Sequence, residues 1–140
     1  MILLGQIRLQ HRNSVYDARD KIRGLANALG YDPLETTRLV SAVSEFARKL
    51  QGDDRESRIA VALAVEFSPP QLVLDFECRG QIPEFTGLNG FFDSLGRRDL
   101  EGSMQSVRAL KWLPNPVFQA TDEFVAAQRF RIQALSREDL

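Results

Sequence analysis

Glu45 and Lys49 stand four residues apart in Glu35-Thr36-Thr37-Arg38-Leu39-Val40-Ser41-Ala42-Val43-Ser44-Glu45-Phe46-Ala47-Arg48-Lys49-Leu50, a stretch patterned as one amphipathic helix. That spacing puts a carboxylate and an ammonium on one helix face, where an ordinary ion pair worth about 0.3–0.5 kcal/mol is expected. Two further stretches concentrate polar chemistry around glycine. One is Glu77-Cys78-Arg79-Gly80-Gln81-Ile82-Pro83; the other is Leu95-Gly96-Arg97-Arg98-Asp99-Leu100-Glu101-Gly102-Ser103. Cys78 is the only cysteine and His11 the only histidine. They could act as a nucleophilic dyad only if the fold made them neighbours, and nothing in the sequence argues for that. Near a strand end, Cys78 reads as a small core residue. One cysteine forms no internal disulfide, and no cluster of histidine, cysteine and carboxylate offers metal-ligand spacing.

These residues need elements to hold them. Residues 2–10 alternate loosely and suit a strand. Ser14 followed by Asp17 has capping-box spacing, and Val15, Ala18, Ile22, Leu25 and Leu29 then recur as a helical stripe ended by Gly30. For the second helix, Asp32 caps, Pro33 takes the first position and Glu35 follows three after the cap. Its buried stripe is Leu39, Val40, Val43, Phe46, Ala47 and Leu50. A turn is expected at 51–54 and strands at 58–67 and 71–78, joined by a short hairpin loop. Residues 79–101 carry weak periodicity, four glycines and the aromatics Phe85, Phe91 and Phe92, and read as a lid. A helix over 103–112 and strands over 117–121 and 124–132 complete the order. The expected fold is an α/β two-layer sandwich, with a mixed, mostly antiparallel sheet covered on one face by about three helices.

A length of 140 residues fits a single domain, 1–140, with a polar end consistent with the N-terminal module of a longer protein. The net charge of -1 gives no general attraction to nucleic acid or anionic membrane. The apolar start is interrupted by Gln6 and Arg8 and lacks the form of a secretion signal, and no apolar run reaches membrane-spanning length. A reducing, cytoplasmic compartment is the simplest expectation.

The element order, and above all residues 14–51 with Ala18-Arg19-Asp20-Lys21-Ile22-Arg23 and Thr37 through Arg48, resembles the GHKL (histidine-kinase-like) ATPase domain with its Bergerat-type ATP-binding fold. The nearest branch is the bacterial anti-sigma-factor and switch serine-kinase group. The resemblance implies that Glu45 matches the family's catalytic glutamate. The family's magnesium-holding asparagine is Lys49 here, a donor with no oxygen for a hard cation. The family's adenine-reading D-x-G-x-G segment matches Glu77-Cys78-Arg79-Gly80-Gln81, with arginine and glutamine where glycines stand. Its phosphate-binding segment, glycines leading into a helix N-terminus, matches Gly96 through Ser103, with Arg97 and Arg98 beside Asp99 and Glu101. All three motifs depart from the pattern.

The implied nucleotide-binding set is therefore Lys49, Glu77, Arg79, Gly80, Gly96, Arg97, Arg98 and Gly102. The departures favour a regulatory protein-interaction module of a bacterial partner-switching pathway that has lost normal Mg-ATP binding and needs no cofactor. Its partner would be a sigma-factor regulator, an antagonist or a phosphatase domain, with Phe85, Phe91 and Phe92 as the docking lid. The alternative is a divergent ATP- and Mg2+-dependent serine/threonine kinase acting on a small protein. There Glu45 would be the base, and Lys49, Arg97 or Arg98 would steady the transferred phosphate. Family members often dimerise through the first strand and helix, and the apolar Met1–Leu4 start suits a paired edge.

Overall fold

The structure, a computed structural model, describes residues 1–52 and 55–135. The expected turn at 51–54 falls partly, and the polar end 136–140 wholly, outside the described residues. The elements run β1 (Ile2–Arg8), α1 (Ser14–Leu29), α2 (Pro33–Gln51), β2 (Ser57–Ala64), β3 (Gln71–Arg79), a 3-10 turn (Thr86–Leu88), β4 (Ser94–Asp99), β5 (Met104–Trp112) and α3 (Asp122–Gln133). The five strands lie in the order β1-β2-β3-β5-β4. Among the described residues every pairing is antiparallel, with no parallel pair to make the sheet mixed. With helices over one face, this is the expected α/β two-layer sandwich. Among the described residues, no helix is long and apolar enough to cross a membrane.

The helix signals act much as the sequence implies. Asp32 Oδ1 accepts the Glu35 N–H at 2.8 Å, satisfying one of the free donors at the start of α2. Gly30 adopts φ 92° and closes α1 through N–H contacts to the Ala26 and Asn27 carbonyls. Ser14 behaves differently from the expected cap. The cap position of α1 is Asn13, and the Ser14 hydroxyl accepts the His11 N–H at 3.0 Å. Asp17 pairs instead with Lys21 at 3.0 Å, one turn on.

Burial along β3 alternates in meaning although nearly every residue is covered. Leu72, Leu74, Phe76 and Cys78 join the main core under the helices, while Val73 packs with Ala62, Ala64 and Leu110. Since strand side chains alternate between faces, Asp75 and Glu77 stand with Val73 on the face away from the helices. The ring of Phe76 meets Phe46 of α2 edge-on, with centroids 5.1 Å apart.

The second half departs from expectation, beginning inside the expected lid, which contains β4. Residues 103–112 form the strand β5, not a helix. Met, Gln, Arg, Ala, Leu and Lys are good helix formers, but β5 is central and pairs on both sides, so sheet pairing overrides propensity. Residues 117–121 form no strand, and 124–132 lie in α3. There Thr121 Oγ1 accepts the Phe124 N–H at 3.1 Å, and Asp122 and Glu123 occupy the first turn. Phe124, Val125, Gln128 and Ile132 then recur at helical, not strand, spacing on the inward side.

α3 runs along β1 and closes that edge of the sheet. Arg129 Nε donates to the Leu3 carbonyl at 3.0 Å and Gln133 Nε2 to the Leu4 carbonyl at 2.9 Å. Here β1 carries a register shift between Leu3 and Gly5, and Gly5 takes φ 144°. A side chain at Gly5 would strain the backbone and place its Cβ 2.7 Å from Gln133 Cγ. Gly5→Ala is expected to cost about 1–3 kcal/mol in urea unfolding. Gly96→Ala is the control: its backbone is ordinary, and an added Cβ would meet nothing within 4 Å. It should change stability by less than about 0.5 kcal/mol.

Candidate functional site

The face of α2 that carries Glu45 and Lys49 looks onto the segment after β3. Ala42, Glu45, Phe46, Lys49, Gly87 and Leu88 line the space between them, a cavity of only about 10 Å³. Leu88 fills it. The 3-10 turn Thr86–Leu88 drives this side chain into the core, where it is 2% exposed. Phe92 follows at 8% exposure, with Phe85 and Phe91 half-buried against the same core. Phe91 and Phe92 meet edge-on at 5.2 Å, and Lys111 Nζ lies 4.5 Å over the Phe91 ring and 3.1 Å from the Phe91 carbonyl. Of the aromatics expected as a docking lid, Phe92 is thus packed into the core, and Phe85 and Phe91 keep part of their surface in solvent.

Lys49 does not pair with Glu45. Its ammonium reaches across to Glu84, 3.9 Å from the carboxylate and 3.5 Å from the backbone oxygen. Glu84 also accepts the Thr86 N–H. Hydrogen bonding from Thr86 holds the Glu84 carboxyl below the usual carboxylate range, and Lys49 adds to the effect. Glu84 thus ties the 3-10 turn to α2 while Leu88 fills the space beneath.

The other residues of the implied nucleotide set are not gathered here. Glu77 faces the opposite side of the sheet, where its carboxylate receives Arg58 Nε at 2.6 Å. Arg79 follows it on that side and pairs with Glu56 at 2.8 Å. This contact is the main cause that lowers the Glu56 pKa. Gly80 turns the chain out of β3 with φ 87°. Gly96, Arg97 and Arg98 lie in β4, and Gly102 with Ser103 makes the β4–β5 turn at φ 69° and 66°. The glycine segment therefore leads into a strand, and no helix N-terminus follows it. Gly102-Ser103 between two strand-like runs is itself a hairpin signal. Alternation divides the two arginines: Arg97 is opposite Val107 on the helix side, and Arg98 is opposite Ser106 on the open side.

The space and the donors do not fit Mg-ATP. Lys49 offers no oxygen to magnesium, and Glu77, which the resemblance would set against adenine, turns to Arg58 on the face away from α2. Among the described residues no group of three His, Cys, Asp or Glu side chains is placed to hold a metal ion. Cys78 sits in the core, its Sγ 3.7 Å from the Gln81 carbonyl and 3.9 Å from that of Gly80. Burial pushes its thiol pKa up, away from nucleophilic thiolate character. β2 stands between β3 and β1, the strand that leads to His11.

Sequence reasoning did not single out the open sheet face. Asp75 takes Arg108 in a two-pronged pair, Nε to Oδ1 at 2.8 Å and a terminal nitrogen to Oδ2 at 3.0 Å. That hydrogen bonding raises the Arg108 pKa further. Toward the other end of this face, Leu3 and Trp112 stand exposed around Ala62, Val73 and Leu110. The acids at 75 and 77, interleaved with Leu74, Phe76 and Cys78, were the available signal: period-two alternation turns them outward. No protein-family model matches the chain, and no curated protein matches it.

Proposed function

We propose that the chain is a regulatory protein-interaction module, built on a histidine-kinase-like scaffold that no longer binds Mg-ATP, and that it serves a bacterial partner-switching pathway in the cytoplasm. The observation that carries the reading is Leu88 seated beside Glu45 and Lys49, in the space a nucleotide would need. The division of Glu77, Arg79 and Arg98 from Lys49 across the sheet supports it. The family likeness rests on β1, α1, α2, β2 and β3. From residue 80 onward a β-hairpin and a terminal helix stand where the family places its lid, phosphate-binding helix and last strands. Glu45 alone is no argument for the kinase alternative, since an exposed glutamate on the outer face of an amphipathic helix is ordinary.

Calorimetric titration with ATP and ADP, with and without magnesium, tests this reading. The expected result is no saturable heat up to nucleotide concentrations on the order of millimolar. Saturable, magnesium-dependent heat that disappears in Glu45→Ala would overturn it and restore the kinase reading.

A further inference from the structure

The two edges of the sheet are treated differently. At β1 the side chains of Arg129 and Gln133 occupy backbone carbonyls. At the other edge, β4 pairs with β5 alone among the described residues. Ser94, Gly96, Arg97, Arg98 and Asp99 are all exposed, and Leu95 is half-buried. The Leu100 N–H donates to Met104 O at 2.8 Å. Antiparallel alternation from that bond turns the N–H and C=O groups of Leu95, Arg97 and Asp99 outward. A second strand could take all of them.

The side chains define what kind of strand fits. Arg97 stands on the helix side, 3.2 Å from Gln105 Oε1. Arg98 stands on the open side at the end of a cross-strand row: Arg8, Arg58, Glu77, Ser106, Arg98. In that row Arg58 already claims Glu77, and Arg108 claims Asp75 in the next. Arg98 makes no ion pair among the described residues. Beside it the buried Ser106 hydroxyl has no hydrogen-bond partner. Between the two arginines' row and the next strand end, Gly96 leaves open space: a Cβ there would meet nothing within 4 Å. Like charges set opposite one another destabilise strand pairs, and opposite charges stabilise them. An acidic strand would meet Arg97 and Arg98 with carboxylates, set in a register that keeps them off the exposed Asp99 beside Arg97.

We propose that the β4 edge is a docking site for an extended, acidic segment of a protein partner. The segment adds as a sixth strand, with carboxylates beside Arg97 and Arg98 and a large apolar side chain beside Gly96. This rests on the interaction-module reading and names the surface and the chemistry of the partner.

Amide hydrogen exchange of the full chain tests it, with a short peptide of two adjacent glutamates flanked by valines as the probe, so that one carboxylate reaches each face, and its lysine counterpart as the control. The acidic peptide is expected to slow exchange at Leu95, Arg97 and Asp99 and to bind roughly tenfold more tightly than the lysine peptide. Replacing both arginines, Arg97→Glu with Arg98→Glu, should reverse the preference. No protection from the acidic peptide would overturn the proposal. So would protection indifferent to charge, or self-association through β4 that excludes the peptide. Failure here leaves the nucleotide titration standing, because that experiment reads the α2 side of the sheet.

Discussion

Phe76→Ala is expected to remove about 3–5 kcal/mol of stability, the range for emptying a large aromatic from a packed core. Phe76 is fully buried in β3, the middle strand of the sheet, between its cross-strand partners Ile59 and Val107. Its ring lies at 89° to that of Phe46. It therefore joins the helix layer to the sheet at the point where α2 crosses β3. A domain of this size has a total stability of about 5–15 kcal/mol, so one substitution removes much of it. Urea unfolding gives the loss directly. Phe46→Ala should behave similarly, and the double variant should lose less than the sum by about 0.5–1.5 kcal/mol, the edge-to-face contribution. A loss below about 1 kcal/mol for Phe76→Ala would mean that the layers are held together elsewhere.

The first half of the chain was legible because its signals are local and agree with one another. Asp32, Pro33 and Glu35 start α2 by backbone chemistry, Gly30 ends α1, and both apolar stripes have helical period. β2 and β3 follow as a hairpin within a short span. The second half was misread where local composition and tertiary pairing disagree. Ser106 through Lys111 has a helix former's composition, but β5 is stitched between β3 and β4 by partners distant in sequence. Phe124, Val125, Phe130 and Ile132 have strand-like types, yet Thr121, Asp122 and Glu123 before them are a helix start. The arrangement of the candidate site was illegible for a different reason. Whether Glu77 faces Lys49 or turns from it depends on which β3 face the helices cover, and motif spacing does not encode that. The position of Leu88 depends on a single turn of 3-10 helix in a segment without periodicity.

Leu88→Ala separates two explanations for a site that excludes nucleotide. Truncating a side chain that is 2% exposed should cost about 2–5 kcal/mol and enlarge the cavity of about 10 Å³ beside Glu45 and Lys49. If the surroundings do not collapse, an apolar cavity of this kind admits a small apolar guest such as xenon or benzene. Guest-induced shifts are expected in the methyl signals of Ala42 and the ring signals of Phe46, both of which line the space. Mg-ATP should still produce no heat. Opening the space does not replace Lys49 with an oxygen ligand, and it does not bring Glu77 round from its pair with Arg58. Saturable Mg-ATP binding by Leu88→Ala, absent from the parent chain, would place the whole barrier in one leucine. The departures at Lys49, Glu77 and Arg79 would then be tolerated substitutions around a plugged but competent pocket. A gain of guest binding without nucleotide binding would assign the exclusion to charge and orientation as well as to volume.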